Sequence, residues 1–146
     1  MVALDFDQTI VEVHTGGRWK GGEEVLANHV RPEFKCFIEE SLQVNIAVAV
    51  ATFSGQTELI HKVLKQSIKH ENAEKIPVYG LDSSGFDRGK HSQLMKAVTD
   101  VGGATADTTV LVDDDSSNTR LAESEGYMTL TYNPDIDRYP RLRKLE

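Results

Sequence analysis

The chain has 146 residues, a formal net charge of −7 and 39% hydrophobic residues, which is ordinary for one globular domain. The acidic balance disfavours nucleic acid and anionic membranes as principal partners, because both carry negative charge. No apolar run is long enough to span a membrane, and Asp5 and Asp7 interrupt the N-terminus before a signal-peptide core can form. The single cysteine, Cys36, predicts a reducing compartment such as the cytoplasm.

Strand-like and helix-like segments follow one another along the sequence. The apolar run MVALDF predicts a first buried strand. Gly16 and Gly17, at the centre of VEVHTGGRWKGG, predict a small β-hairpin. Pro32 suits the first turn of a helix over RPEFKCFIEESL. The later predicted elements are a strand at VNIAVAVAT, a helix at GQTELIHKVLKQSIKH, a strand at IPVYGL, a helix at GKHSQLMKAVTDVGG, a strand at TTVLVDDD, a helix at SSNTRLAESEG and a strand at YMTLTY.

This alternation predicts an α/β fold, in which helices cover both faces of a mostly parallel sheet. We expect a Rossmann-like three-layer sandwich with the hairpin as a flap after the first strand. No repeat or linker divides the sequence, so residues 1–146 are expected to form a single domain. The tail, NPDIDRYPRLRKLE, has no clear period and is expected to pack along the surface or fray.

Polar side chains follow the predicted strands, and in parallel sheets the carboxyl ends of the strands are where ligands bind. Asp5 and Asp7 would face the same side there, because alternate residues of a strand share a face. The polar residues in question are Asp5 and Asp7 after the first strand, Thr52 and Ser54 after the second, Asp82 and Lys90 after the third, and Asp113, Asp114 and Asp115 after the fourth.

This set of side chains suits phosphoryl transfer. A divalent cation removes the repulsion between clustered carboxylates and a phosphate, and Mg²⁺ prefers oxygen ligands. Asp5, the backbone carbonyl of Asp7 and an aspartate of DDD can supply three of them. Thr52 and Lys90 can stabilise charge on the phosphoryl oxygens, and Asp7 can protonate the leaving group.

The ordered motifs resemble those of the haloacid dehalogenase (HAD) superfamily of phosphohydrolases. Asp5-Phe6-Asp7-Gln8-Thr9 matches its D-x-D-x-T motif, and the matches to its other three motifs are the strand that ends at Thr52, Lys90 near a helix start, and Asp113-Asp114. The resemblance implies that Asp5 is the nucleophile that becomes an aspartyl-phosphate, and that Asp7 is the general acid and then the base. DDDSSN and ATFSG further resemble the magnesium-dependent phosphatase family.

Several assignments stay open at this stage. Asp114 is expected to bind the metal directly and Asp113 to support it, although the order could be reversed. Without the other motifs, Asp5 and Asp7 would suit a solvated turn, and DDDSSN alone would suit a helix N-cap. The lysines that could replace Lys90 in its role are Lys20, Lys62 and Lys96.

Access to the site and the substrate are also matters of expectation. Many members of this superfamily carry a cap domain, but residues 10–44 and 55–89 are each too short to fold a separate core. We therefore expect no cap and an open site, with Ser54, Trp19 and Arg18 facing the substrate. The expected substrate is a phosphorylated small molecule or a phosphoprotein, and an oligomer is possible. Alternatives are a capless protein or nucleic-acid-end phosphatase, and a non-catalytic domain that binds metal or a partner.

Overall fold

The computed structural model describes residues 1–83, 85 and 88–136. Five strands form one sheet in the order β3-β2-β1-β4-β5, and all four pairings between them are parallel. In the centre of the sheet, Leu4 is paired with Val50 on one side and Val112 on the other. The five strands are β1 (Val2–Leu4), β2 (Val48–Ala51), β3 (Val78–Tyr79), β4 (Val110–Asp113) and β5 (Met128–Thr131).

Helices cover both faces of the sheet, as the alternation of segments predicted. Leu4 on one face of β1 belongs to a core with Phe37 of α2 and Ile60 of α3. Ala3 on the opposite face belongs to a second core with Leu94 of α4 and Ala122 of α5. The helices are α1 (Glu23–Ala27), α2 (Pro32–Gln43), α3 (Thr57–Ser67), α4 (His91–Asp100) and α5 (Ser116–Ser124). The predicted Rossmann-like three-layer fold is therefore confirmed.

The predicted β-hairpin flap is wrong. Thr15 to Arg18 do form a tight turn, closed by a 3.2 Å hydrogen bond from Arg18 N to Thr15 O, and Gly16 and Gly17 both have positive φ. The two arms do not pair, because their backbone groups bond elsewhere. Thr15 N donates to Asp7 Oδ2, and Trp19 N donates to Gln56 Oε1. The segment is a loop, and the short helix α1, which the sequence did not predict, follows it.

The two segments that could carry a cap hold only small elements. Residues 10–44 contain α1 and α2, and the described part of 55–89 contains α3, a 3₁₀ turn at Ala73–Lys75 and β3. No separate domain covers the strand ends among the described residues, as expected. Within the same residues, no helix combines the length and the apolar character that crossing a membrane requires. Most of the predicted tail, residues 137–146, lies outside the described residues.

Candidate active site

The carboxyl ends of β1, β2 and β4 open onto one cavity of about 360 Å³. Of the nine polar residues predicted to follow the strands, Asp82 is not in its lining, and the other eight are: Asp5, Asp7, Thr52, Ser54, Lys90, Asp113, Asp114 and Asp115. The parallel register of the three strands brings their ends to one level, which is why segments far apart in the sequence meet here. Among the described residues, Arg18 and Trp19 are not part of this lining.

Lys90 lies at the bottom of the site, at the N-cap position of α4. Its ammonium contacts Asp5 Oδ1 and lies 2.6 Å from Asp113 Oδ2. It also lies 5.5 Å from the ring centroid of Phe53, within the range of a cation–π interaction. Burial alone would lower the pKa of Lys90, but the charges of Asp5 and Asp113 outweigh burial and raise it. Lys90 is therefore a permanent positive charge beside Asp5.

Two buried carboxylates of the site, Asp5 and Asp113, are destabilised as anions. Burial raises the pKa of Asp5 to about 6; Lys90 opposes this shift, while the nearby Asp114 adds to it. Burial also raises the pKa of Asp113, again against the effect of Lys90. Oxygen atoms of Asp5, Asp113 and Asp114 all lie within 4.8 Å of one another. Three carboxylates against one ammonium leave two negative charges, so the donor set fits a divalent cation with a preference for oxygen.

Asp113 and Asp114 are held differently. Both oxygens of Asp113 accept from protein donors, because Asp115 N donates to Oδ1 at 2.9 Å and Asn118 Nδ2 donates to Oδ2 at 3.2 Å. Asp114 is half-buried, and its Oδ1 lies 3.3 Å from the Thr9 hydroxyl. Asp113 is thus engaged with Lys90 and Asn118, whereas Asp114 has more capacity for an added ligand.

Thr9 links the first and fourth motifs. Its completely buried hydroxyl oxygen lies 3.2 Å from Asp5 Oδ2 and accepts a 3.2 Å hydrogen bond from Asp114 N. One hydroxyl has a single hydrogen, which Asp5 and Asp114 must share. Thr9 matches the last position of the D-x-D-x-T motif, but no role was predicted for it from the sequence. Its spacing of four residues from Asp5 was the signal.

Asp7 points toward the loop that was predicted as a hairpin. Its Oδ2 accepts from Thr15 N at 3.0 Å and from Gly16 N at 3.3 Å. The Thr15 hydroxyl lies 2.8 Å from Oδ1 and 2.9 Å from Oδ2, and His14 Nδ1 lies 3.3 Å from Oδ2. Asp7 therefore belongs to the cavity but is oriented by residues 14–16 rather than by Lys90.

The loop after β2 presents two hydroxyl groups to the cavity. Thr52 Oγ1 accepts a 3.0 Å hydrogen bond from Ser54 N, which leaves the hydroxyl hydrogen of Thr52 for another acceptor. Ser54 Oγ accepts from Gln56 N at 3.1 Å. The buried Gln93 of α4 donates to Thr52 O at 3.2 Å and joins this loop to the helix that carries Lys90. Gln93 was not among the predicted site residues, since a glutamine within a helix carries no distinctive signal in the sequence.

Trp19 and Arg18 lie outside the cavity lining. Trp19 packs against the hydrophobic core, its ring is 6.2 Å from that of His29 in an edge-on arrangement, and its Nε1 donates to Gly22 O at 2.8 Å. Arg18 is exposed at the turn. These contacts give no support to the predicted contact of either residue with substrate, which stays a prediction.

Comparison by sequence finds no relative: no protein-family model and no curated protein matches the chain. Solved structures match its fold. The HAD domain of the effector protein Lem4 from Legionella pneumophila, as an inactive mutant, superposes with a TM-score of 0.65 at 16% identity, over 98% of this chain and 90% of that chain. A second structure of that domain gives 0.63 at 17% identity, over 98% and 91%.

A third match is the N-terminal part of the protein BF1531 from Bacteroides fragilis, which contains a phosphatase domain and is complexed with Mg. It superposes with a TM-score of 0.65 at 14% identity, over 99% of this chain and 39% of that chain. At these identities the likeness concerns the fold. With the parallel sheet order and the residues of the four motifs around one cavity, it shows that this chain has the fold of a HAD domain.

Proposed function

We propose that this protein is a Mg²⁺-dependent phosphomonoesterase that works through an aspartyl-phosphate on Asp5. The observation that carries the proposal is the surroundings of Asp5. Its carboxylate lies at the end of the central strand, in contact with the buried Lys90 and among carboxylates that could hold a metal ion. A nucleophilic carboxylate, a fixed cation and a metal site are what this reaction requires.

Asp5 and Asp114 are the side chains that would hold Mg²⁺. When bound, Mg²⁺ would offset the charge of the carboxylates and of the phosphate, so that the two can approach each other. Asp113 would act indirectly, because its oxygens are engaged by Lys90 and by the donors Asp115 N and Asn118 Nδ2. Lys90 and the hydroxyl of Thr52 would face the charge on the phosphoryl oxygens.

The proposed reaction has two steps. In the first, a carboxylate oxygen of Asp5 bonds to phosphorus while the bond from phosphorus to the leaving oxygen breaks, and Asp7 gives its proton to that oxygen. In the second, the ionised Asp7 takes a proton from water as the water oxygen bonds to phosphorus. The bond between phosphorus and Asp5 then breaks, which releases inorganic phosphate and restores both aspartates.

Two further features support the proposal. The fold is that of HAD domains, and one of the matching structures contains a phosphatase domain with Mg. The cytoplasm remains the proposed location; it rests on the single Cys36, which is exposed and free. A small phosphorylated molecule or a phosphoprotein is the proposed substrate, because no cap covers the strand ends among the described residues.

The test is hydrolysis of p-nitrophenyl phosphate with Mg²⁺ and with a chelator. The wild type should release phosphate only with the metal, and Asp5→Asn should be inactive while remaining folded, because an amide is a poor nucleophile. The matched control is Asp135→Asn, which changes an exposed aspartate and should behave as the wild type. Metal-dependent turnover by a folded Asp5→Asn protein would contradict the mechanism. An inactive wild type that still binds Mg²⁺ would favour the non-catalytic domain.

A further inference from the structure

The loop that follows the first motif contains a residue that orients the proposed general acid. We propose that Thr15 is a positioning residue for Asp7: the hydroxyl and the backbone N–H of Thr15 hold the Asp7 carboxylate in one orientation at the cavity. This inference rests on the proposed function, since it concerns the same proton transfer. It adds a residue that lies outside the four motifs.

The two oxygens of Asp7 have unequal surroundings. Oδ2 accepts from the backbone N–H groups of Thr15 and Gly16 and lies 3.3 Å from His14 Nδ1. Within the described residues, Oδ1 has only the Thr15 hydroxyl beside it, at 2.8 Å. Thr15 thus contacts both carboxylate oxygens of Asp7, Oδ2 through its backbone N–H and its hydroxyl, and Oδ1 through its hydroxyl.

The direction of the Thr15 hydroxyl follows from a second contact. Gly17 N donates to Thr15 Oγ1 at 3.3 Å, a side-chain turn typical of threonine. The oxygen thus serves as the acceptor for Gly17, and its single hydrogen is left for Asp7. That hydrogen can be donated to Oδ1 at 2.8 Å or to Oδ2 at 2.9 Å, so the hydroxyl and the backbone N–H of Thr15 together orient the carboxylate.

The loop that carries Thr15 is also held at its C-terminal end, where Trp19 is hydrogen-bonded to Gln56. The side-chain amide of Gln56 binds the backbone of Trp19 twice: Oε1 accepts from Trp19 N at 2.8 Å, and Nε2 donates to Trp19 O at 3.3 Å. Gln56 precedes α3 and lies just after the loop that holds Thr52 and Ser54. The position of Thr15 is therefore tied to the second strand as well as to Asp7.

The experiment compares two leaving groups. Phenyl phosphate has the more basic leaving oxygen and needs acid help, whereas p-nitrophenyl phosphate needs little. Thr15→Val removes the hydroxyl but keeps the backbone donor. We expect kcat/KM for phenyl phosphate to fall about tenfold further than for p-nitrophenyl phosphate, part of the roughly 10²–10⁴-fold that a positioned acid contributes. Thr15→Ser keeps the hydroxyl and should preserve the wild-type ratio between the two substrates.

Controls separate this inference from the proposed function. Thr99→Val removes an exposed helical hydroxyl that donates to Met95 O and should leave the ratio unchanged. Thr15→Ala replaces Thr15→Val if the latter does not fold. Two outcomes would overturn the role of Thr15 while an inactive Asp5→Asn protein leaves the proposed function standing. One is a wild-type ratio of kcat/KM between the two substrates in Thr15→Val. The other is a ratio in Thr15→Ser that departs from the wild-type value. An active Asp5→Asn protein would overturn the proposed function and this inference with it.

Discussion

Lys90 Nζ lies 2.6 Å from Asp113 Oδ2, and each side chain is only 1% exposed. Removing one partner of a buried ion pair leaves an uncompensated charge, which typically costs about 3–5 kcal/mol. We therefore expect Lys90→Met to lower the free energy of unfolding by about that amount. We also expect it to lower kcat/KM by roughly 10²–10³-fold, as the loss of one charge-stabilising group does elsewhere. Urea unfolding and phosphatase kinetics measure the two effects.

The matched control for Lys90 is Lys96, whose ammonium lies 2.5 Å from Asp82 with 53% of its own side chain exposed. Such exposed pairs contribute about 0–1 kcal/mol, so Lys96→Met should have little effect on stability or turnover. Equal losses of stability in the two variants would mean that the buried pair has no special energetic role.

Asp114 and Asp113 should differ in their effect on the Mg²⁺ requirement. Asp114→Asn removes a carboxylate that has capacity for the metal, and we expect the Mg²⁺ concentration for half-maximal activity to rise by more than about tenfold. Asp113→Asn should raise it less, because Asp113 is engaged with Lys90 and Asn118. Mg²⁺-dependent shifts in Tm provide a readout without turnover. A larger rise in the Mg²⁺ requirement for Asp113→Asn than for Asp114→Asn would reverse the assignment of the direct ligand.

Asp5 should make the stability of the metal-free protein depend on pH. Its folded-state pKa of about 6 lies above the ordinary 3.8, so its contribution is fully present below 3.8 and is lost as the pH rises through 6. From pH 4 to pH 7.5, Asp5→Asn should gain up to about 3 kcal/mol in unfolding free energy relative to the wild type. Urea unfolding in a chelator checks this. If the wild type instead gained unfolding free energy relative to Asp5→Asn over this pH range, the predicted direction would be wrong. Asp135→Asn should follow the pH dependence of the wild type.

The open site should admit a phosphate on a large molecule. His14 is exposed where it lines the cavity, and Asp7 and Asp114 are half-buried. We expect measurable, Mg²⁺-dependent hydrolysis of at least one phosphopeptide, assayed as released phosphate, with Asp5→Asn as the inactive control. Phosphorylated sugars and nucleotides should be tested in parallel as small-molecule substrates. A 5′-phosphorylated oligonucleotide at two salt concentrations tests the nucleic-acid-end alternative. Strict selectivity of a monomer for one small metabolite would count against the open site.

Most of the fold follows from local patterns in the sequence. The apolar runs around Leu4, Val50 and Val112 became the three central strands, and the helix predicted at GQTELIHKVLKQSIKH became α3, which buries Ile60 and Leu64. The structure shortens most of these segments; the strand expected over six residues of IPVYGL has only the two residues Val78–Tyr79. Strand ends depend on pairing with neighbours, which a local pattern does not contain.

The loop after β1 shows where local reasoning fails. Two glycines with positive φ suit a hairpin turn, and the turn did form at Gly16 and Gly17. The arms nevertheless find their partners in Asp7 and Gln56. Because Gln56 lies 37 residues from Trp19 in the sequence, no inspection of the local segment could have identified this competition.

The sequence by itself determined the order of the strands and of the helices other than α1, and most of the polar residues at the strand ends, because apolar periodicity and short motifs are local properties. Only the tertiary structure decided which of these residues contact one another. The contact of Lys90 with Asp5 spans 85 residues, and the engagement of Asp113 rather than Asp114 depends on where Lys90 and Asn118 arrive. Such pairings arise from the parallel register and the packing of α4 and α5, which bring distant segments within hydrogen-bond distance.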